Sequence, residues 1–148
     1  MEKQASDLNR STWLLMGKVH HKRMLIRQRE LSQYNIPTRQ LYILRIIQEL
    51  GSKATLSEIA KKVERRVDVI SRQAVIMEKD GLIKRTKTGP KTRLLRIELT
   101  KKGLDLAQIS GKSKAMDEII SVLNVEERQK LQSFLNKLLI KMNQYTPE

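Results

Sequence analysis

The stretch that decides the fold is TLSEIAKKVERRVDVISRQAVIMEKDGLIKRTKTG over residues 55–89, continued by PKTRLLRIELT over residues 90–100. Thr55 is followed three residues later by Glu58, the spacing of a capping box, so a helix is predicted to begin there. The apolar residues that follow recur at helical spacing and predict one buried face of a short helix. These residues are Leu56, Ile59, Ala60 and Val63.

A turn around Glu64 and Arg65 leads to a second predicted helix, which ends before Gly81. Its apolar positions recur at a period near 3.6, so that face should be buried and the polar face exposed. The inward residues are Val67, Ile70, Ala74 and Met77, and the outward ones are Arg66, Ser71, Arg72, Gln73 and Glu78. Residues 82–88 and 94–99 then alternate as strands, with Gly89-Pro90 as the turn. The order helix, turn, helix, hairpin is that of a winged helix-turn-helix.

The flanking segments are predicted to be helical. A long helix over 7–33 has apolar residues on two faces, which indicates that it lies between two partners. Thr38 is predicted to cap a buried helix of Leu41, Tyr42, Ile43, Leu44, Ile46 and Ile47, and Lys53-Ala54 to add a short strand. Thr100 is predicted to cap a helix kinked near Gly111, and Asn124 with Glu127 to cap the last helix. We expect a mainly α fold with a small β-hairpin, in which 1–34 and 104–148 form a helical dimerisation region around 38–103.

Composition narrows the class of protein. Thirty Lys and Arg against sixteen Asp and Glu give the 148-residue chain a net charge of +14. Residues 61–102 alone have a net charge of +9, so a polyanion is expected to bind there. The sequence has no cysteine, which excludes disulfides and Cys-ligated metals and fits a cytoplasmic location. No apolar run approaches the ~20 residues of a membrane span.

These features predict binding to double-stranded DNA. The second helix has the dimensions that enter a major groove, where arginine can contact guanine through two hydrogen bonds. The basic hairpin tip would reach the minor groove, and the start of the short helix would face phosphate. The expected contact residues are Thr55, Ser57, Arg65, Arg66, Asp68, Val69, Ser71, Arg72, Lys87, Lys91, Thr92 and Arg93.

Two alternatives remain at this point. A non-specific RNA-binding or architectural protein would also be basic, although an aromatic content of 3% argues against single-strand stacking. A protein-interaction module would use its charge only for solubility. An enzyme is not expected, because the sequence lacks a cysteine nucleophile, a phosphate-binding glycine loop and a metal-ligand motif, and no cofactor is expected.

Several short motifs of this stretch together resemble the MarR (multiple antibiotic resistance regulator) family. They are Ile70-Ser71-Arg72, Met77-Glu78-Lys79-Asp80-Gly81-Leu82-Ile83, Arg93 and Leu99-Thr100-x-x-Gly103. The resemblance implies a homodimeric bacterial regulator, acting as a repressor, whose recognition helices bind successive major grooves of a pseudo-palindromic operator. It places Ser71 and Arg72 on the recognition helix and Arg93 at the wing tip. Two positions depart from the family pattern: Lys91 stands where an Asp is usual, and Arg66 where a Ser cap is usual.

The resemblance also implies a site for a small aromatic or anionic effector between the dimerisation and DNA-binding regions. Its expected lining is Trp13, Met16, His20, Met24, Tyr42, Arg45 and Ile46. Residues of this kind at helical spacing also occur in ordinary cores, so this alternative stays open. The expected dimer interface comprises Leu8, Leu15, Ile119, Leu131, Phe134, Leu135, Leu138 and Met142.

Overall fold

The computed structural model describes residues 2–89 and 94–145, which fall into two units, 1–112 and 113–148. The predicted wing-tip contacts Lys91, Thr92 and Arg93 lie outside the described residues, as does Pro90 of the predicted turn. Within the part of the chain that is described, no helix is both long and apolar enough to cross a membrane.

The first helix, α1 (Glu2–Leu31), begins five residues before the predicted start and ends two residues before the predicted end. A 3₁₀ turn (Ser32–Tyr34) and Asn35, with a left-handed φ of 52°, then redirect the chain. Leu31 reaches the core and Met16 and Ile26 are half-buried, whereas the other apolar residues earlier in α1 are exposed. Among the described residues, most of both predicted apolar faces of α1 is therefore exposed.

Arg27 joins the end of α1 to the end of another helix, α5 (Lys101–Gly111). Its guanidinium donates to the carbonyl oxygens of Ser110 and of Lys112, the latter at 2.9 Å, and pairs with Glu30 at 2.9 Å. The last carbonyls of a helix have no partner within the helix. Arg27 supplies that partner and fixes the end of α1 against the end of α5.

The core of the first unit is built on α2 (Thr38–Leu50), against which α5 packs. Five of the six apolar residues predicted to be buried in α2 are buried, but Tyr42 is 44% exposed. The prediction that Thr38 caps this helix is wrong. Pro37 is the N-cap and Thr38 the first helical residue, because the fixed φ of proline already sets the entry into the helix.

The helix-turn-helix consists of α3 (Leu56–Lys62) and α4 (Val67–Lys79). The hairpin that follows comprises β1 (Ile83–Lys87) and β2 (Leu95–Leu99), antiparallel, with Ile83 opposite Leu99 and Lys87 opposite Leu95. The strand predicted at Lys53-Ala54 does not form as such. Lys53 ends a 3₁₀ turn, while Ala54 accepts a hydrogen bond from Ile97 and the next residue, Thr55, forms an isolated bridge with Arg96.

Thr100 caps α5 as predicted, accepting a hydrogen bond from the Gly103 amide at 3.1 Å. Its own amide and hydroxyl bind the carbonyls of Leu82 and Gly81, at 3.1 Å and 2.6 Å. A Cβ on Gly103 would overlap the Leu82 carbonyl group. The Leu-Thr-x-x-Gly motif therefore brings the start of α5 directly against the end of the helix-turn-helix.

The second unit consists of α6 (Lys114–Ile120) and α7 (Val125–Gln144). The predicted kink near Gly111 is instead a complete break, because α5 ends at Gly111 and Ser113 caps a new helix by accepting from the Met116 amide. Asn124 and Glu127 form the predicted capping box of α7. None of the described residues of α6 or α7 is buried, so the apolar stripe of α7 is open to solvent.

Candidate nucleic-acid interface

The start of α3 is held by Thr55, whose hydroxyl accepts from the Glu58 amide at 3.2 Å. This bond is one half of the predicted capping box. The bridge with Arg96 ties Thr55 to β2, and Ser57 lies exposed in the first turn of α3. Thr55 and Ser57 therefore stand at a helix N-terminus, where unpaired amides favour phosphate oxygens.

The turn between α3 and α4 depends on Glu64, which has a left-handed φ of 52°. The next amide, that of Arg65, donates back to the Ala60 carbonyl at 2.9 Å and closes the end of α3. A left-handed residue after a helix is the usual way to end it, but glycine or asparagine is the usual residue there. The side chains of Arg65 and Arg66 are exposed; Arg65 donates to the Glu64 carbonyl at 3.3 Å, and Arg66 reaches Asp68 in the first turn of α4.

The inward face of α4 is formed by Ile70, Ala74 and Met77, all buried as predicted. Val67 does not join them and is 45% exposed, because it lies in the first turn, ahead of the part that packs on the core. Arg66 stands at the N-cap and makes no side-chain capping bond. The structure therefore agrees with the prediction that this helix lacks its usual cap.

The exposed face at the start of α4 contains one cluster of charge. The Asp68 carboxylate binds Arg66 Nε at 2.9 Å through one oxygen and Arg72 Nη2 at 3.3 Å through the other. The side chains of Arg66, Asp68 and Arg72 are 85%, 52% and 73% exposed. Ser71 and Val69 flank this cluster and are half-buried. Guanidinium groups at a free helix start can reach both base edges and phosphates.

The wing is bound to α4 by Glu78 and Arg85. The Glu78 carboxylate accepts from the Arg85 amide at 3.1 Å and from its Nε at 2.7 Å. The hydrogen bond from the Arg85 side chain is the main reason that the pKa of Glu78 lies below its ordinary value. Glu78 therefore lies on the outward face of α4, as predicted, but it is only partly exposed because it fastens β1 to the last turn of α4.

No local spacing rule identifies the Glu78–Arg85 pair, because the two residues are seven apart across a turn. Lys87 is exposed at the end of β1, and the neighbouring Thr88 binds the Leu94 carbonyl across the hairpin. Arg96, which was not among the predicted contacts, donates to the Ser52 carbonyl at 2.9 Å and fixes β2 to the 3₁₀ turn that follows α2.

The residues predicted to line an effector site lie in different surroundings in the described part of the chain. Trp13 and Met24 are exposed on α1, with His20 beside Arg23, while Ile46 belongs to the hydrophobic core. Arg45 pairs with Glu49 at 3.4 Å and borders an open groove of about 360 Å³ between α2 and α5. Met16 is half-buried on α1, and Tyr42 is exposed on α2.

The predicted dimer-interface residues are exposed as well. They are Leu8 and Leu15 on α1, Ile119 on α6, and Leu131, Phe134, Leu135, Leu138 and Met142 on α7. Solvent-exposed apolar side chains in such number are unusual for a folded monomer. The described residues thus include a charged surface on the helix-turn-helix and separate apolar surfaces on α1, α6 and α7.

The fold and this charged surface define a winged helix-turn-helix protein. Comparison with known proteins gives one family match: the MarR family model matches residues 36–88. The matched segment runs from before α2 through β1, and it agrees with the resemblance of the sequence motifs to the MarR family. A comparison with the curated proteins gives no match.

Solved structures extend the similarity along most of the chain. An organohalide-sensing RdhR transcriptional regulator bound to 2,4-dichlorophenol is 29% identical, with a TM-score of 0.73 over 88% of this chain and 79% of the other. MepR of S. aureus in complex with DNA is 25% identical, with a TM-score of 0.73 over 87% and 96%. MarR of Staphylococcus aureus with salicylate and kanamycin shares the fold, with a TM-score of 0.81 over 94% and 95% at 17% identity.

Proposed function

We propose that this protein is a homodimeric, sequence-specific DNA-binding repressor, with α4 in the major groove and the wing in the minor groove. The observation on which this rests is the exposed arginine cluster at the start of α4, on the opposite side from the buried Ile70, Ala74 and Met77. The net charge of +9 over 61–102 supplies the phosphate attraction. The similar MepR structure contains DNA, which supports the proposal.

The roles of individual residues follow from their positions. Arg72 would contact a guanine edge, and Arg65 and Arg66 would contact bases or backbone at the same helix end. Thr55, Ser57 and Lys87 would contact phosphates on either side. The wing-tip residues Lys91, Thr92 and Arg93 are proposed from the sequence alone.

The test is a selection of bound fragments from a genomic library at two salt concentrations, followed by titrations of the selected DNA. Arg72→Ala is expected to cost roughly 1–3 kcal/mol on the selected DNA and to relax its base preference. Lys137→Ala, which removes the same charge from exposed α7, is the control and should change little. Equal affinity of the wild type for selected and random DNA would refute the proposal and favour a non-specific nucleic-acid-binding protein.

The dimer is supported by the uncovered apolar stripe of α7. Leu135→Asp is expected to give monomers and to abolish high-affinity binding, because a carboxylate would have to be buried at the interface. Ser133→Asp makes the same charge change on the opposite face of α7 and should leave the dimer intact. Analytical ultracentrifugation measures both, and a dimeric Leu135→Asp variant would show that this stripe is not the interface.

We further propose that a small aromatic or anionic compound releases the DNA. The similar RdhR structure has 2,4-dichlorophenol bound, which supports an effector of this chemistry. Thermal shifts with a panel of phenols and aromatic acids, and their loss in Arg45→Ala, test the site. An absence of shift with every compound would refute it.

A further inference from the structure

We propose that Asp68 is a specificity-determining positioning residue, which holds Arg72 and Arg66 in place and weakens binding to DNA of the wrong sequence. The inference rests on the proposed DNA-binding function. It starts from the geometry of one carboxylate shared by two guanidinium groups, at 2.9 Å and 3.3 Å.

The positions of the three residues make this arrangement specific to the start of α4. Asp68 and Arg72 are four residues apart and lie on one helix face, whereas Arg66 precedes the helix and turns back toward it. An aspartate in the first turn also interacts favourably with the helix dipole. Ion pairs as exposed as these add little to the stability of the fold. Their main effect is therefore on the surface of α4 that would contact DNA.

The ion pairs with Asp68 limit the mobility of Arg66 and Arg72 but do not occupy all of their N–H donors. Arg72 uses one terminal nitrogen for Asp68, and a guanidinium has five N–H donors in a rigid plane, so donors remain for a guanine edge. A flexible arginine would lose more conformational freedom on reading a base. The bridge thus prepares Arg72 for a specific contact.

The same carboxylate disfavours contacts that use only the DNA backbone. It places a negative charge on the surface that must approach phosphates, and it competes with phosphate oxygens for both arginines. Non-specific binding depends almost entirely on phosphate attraction. On the specific DNA site, the correct base offers Arg72 an additional hydrogen-bond partner, which offsets the repulsion between Asp68 and the phosphates. On other DNA sequences nothing offsets this repulsion.

The test compares Asp68→Asn with Asp80→Asn, which removes the same charge at the opposite end of α4. Dissociation constants are measured for the selected DNA and a random duplex at one salt concentration. Asp68→Asn is expected to raise the affinity for random DNA about five- to tenfold and to leave that for selected DNA within about twofold. Its specificity ratio therefore falls at least about 2.5-fold, whereas that of Asp80→Asn stays near the wild-type value.

Asp68→Glu keeps the charge and is expected to keep the weak binding to random DNA, and thermal unfolding confirms that each variant is folded. An equal gain on both DNAs in Asp68→Asn would overturn the inference, because charge alone would then explain it. An equal effect of Asp80→Asn on the ratio would overturn it too. A wild type without sequence preference would instead refute the proposed function, and this inference with it.

Discussion

Replacing Gly103 with alanine is expected to destabilise the protein far more than the same change at Gly111, the other glycine of α5. The added Cβ would meet the backbone carbonyl of Leu82, with the carbonyl carbon at 3.0 Å and Leu44 Cδ2 at 3.4 Å. The neighbour that must yield is main chain, so the cost should lie at the upper end of the ~1–3 kcal/mol typical of overpacking. A shift of α5 would also weaken the 3.1 Å bond between the Thr100 amide and Leu82, worth about 1 kcal/mol.

Against these terms, alanine gains up to about 1 kcal/mol of helix propensity over glycine. The net loss is therefore about 3 kcal/mol. In a chain of this length a loss of that size lowers the melting temperature by roughly 6–12 °C. Urea unfolding followed by circular dichroism at one fixed protein concentration is the assay, since association would otherwise shift the midpoint.

Gly111→Ala is the matched control, because nothing lies within 4 Å of a Cβ built on this last residue of the same helix. It should be neutral or stabilising by less than about 1 kcal/mol. If Gly103→Ala came within about 0.5 kcal/mol of the wild type, a range typical of ordinary surface substitutions, the close approach of α5 to Leu82 could not be the reason for glycine at this position.

Three further predictions concern other contacts. Because Arg85 lowers the pKa of Glu78, the pair stabilises the fold at pH values above the ordinary carboxyl pKa, and this stabilisation is lost as the pH falls through the lowered pKa. The difference in free energy of unfolding between the wild type and Glu78→Gln should therefore shrink in acid. A difference that does not change with pH would contradict this. Glu64→Gly should raise the free energy of unfolding by about 1 kcal/mol, because glycine adopts a φ of 52° without strain; a loss in urea unfolding would count against strain at this turn. Arg27→Ala should cost about 1–3 kcal/mol by leaving the part-buried Ser110 carbonyl without its donor, whereas Arg23→Ala, which loses only an exposed 3.4 Å contact, should cost little in the same assay.

The features that could be predicted from the sequence are those set by neighbours along the chain. The caps at Thr100 and Asn124 were predictable because a side-chain oxygen and an amide three residues later meet whenever a helix begins there. The inward face of α4 followed from its period of 3.6. Val67 was the exception, because periodicity assigns a face but does not say where along a helix the packing begins.

The features that escaped prediction depend on tertiary structure. Glu78 and Arg85 meet only because the turn after α4 folds β1 back on its last turn. Arg27 and the end of α5 are more than eighty residues apart. A glycine within an apolar pattern does not distinguish a kink from a break, although Ser113 with an amide three residues on is a local signal for the new cap after Gly111.

If the protein binds DNA as the proposed dimer, the Glu78–Arg85 pair also has a consequence for the operator. Because it fastens β1 to α4, the recognition helix and the base of the wing should behave as one rigid piece in each protomer. The distance between a major-groove contact and its neighbouring minor-groove contact is then fixed within a half-site. Adjustment to different operators must occur between the two half-sites, where one inserted base pair would turn one half by about a tenth of a helical turn relative to the other.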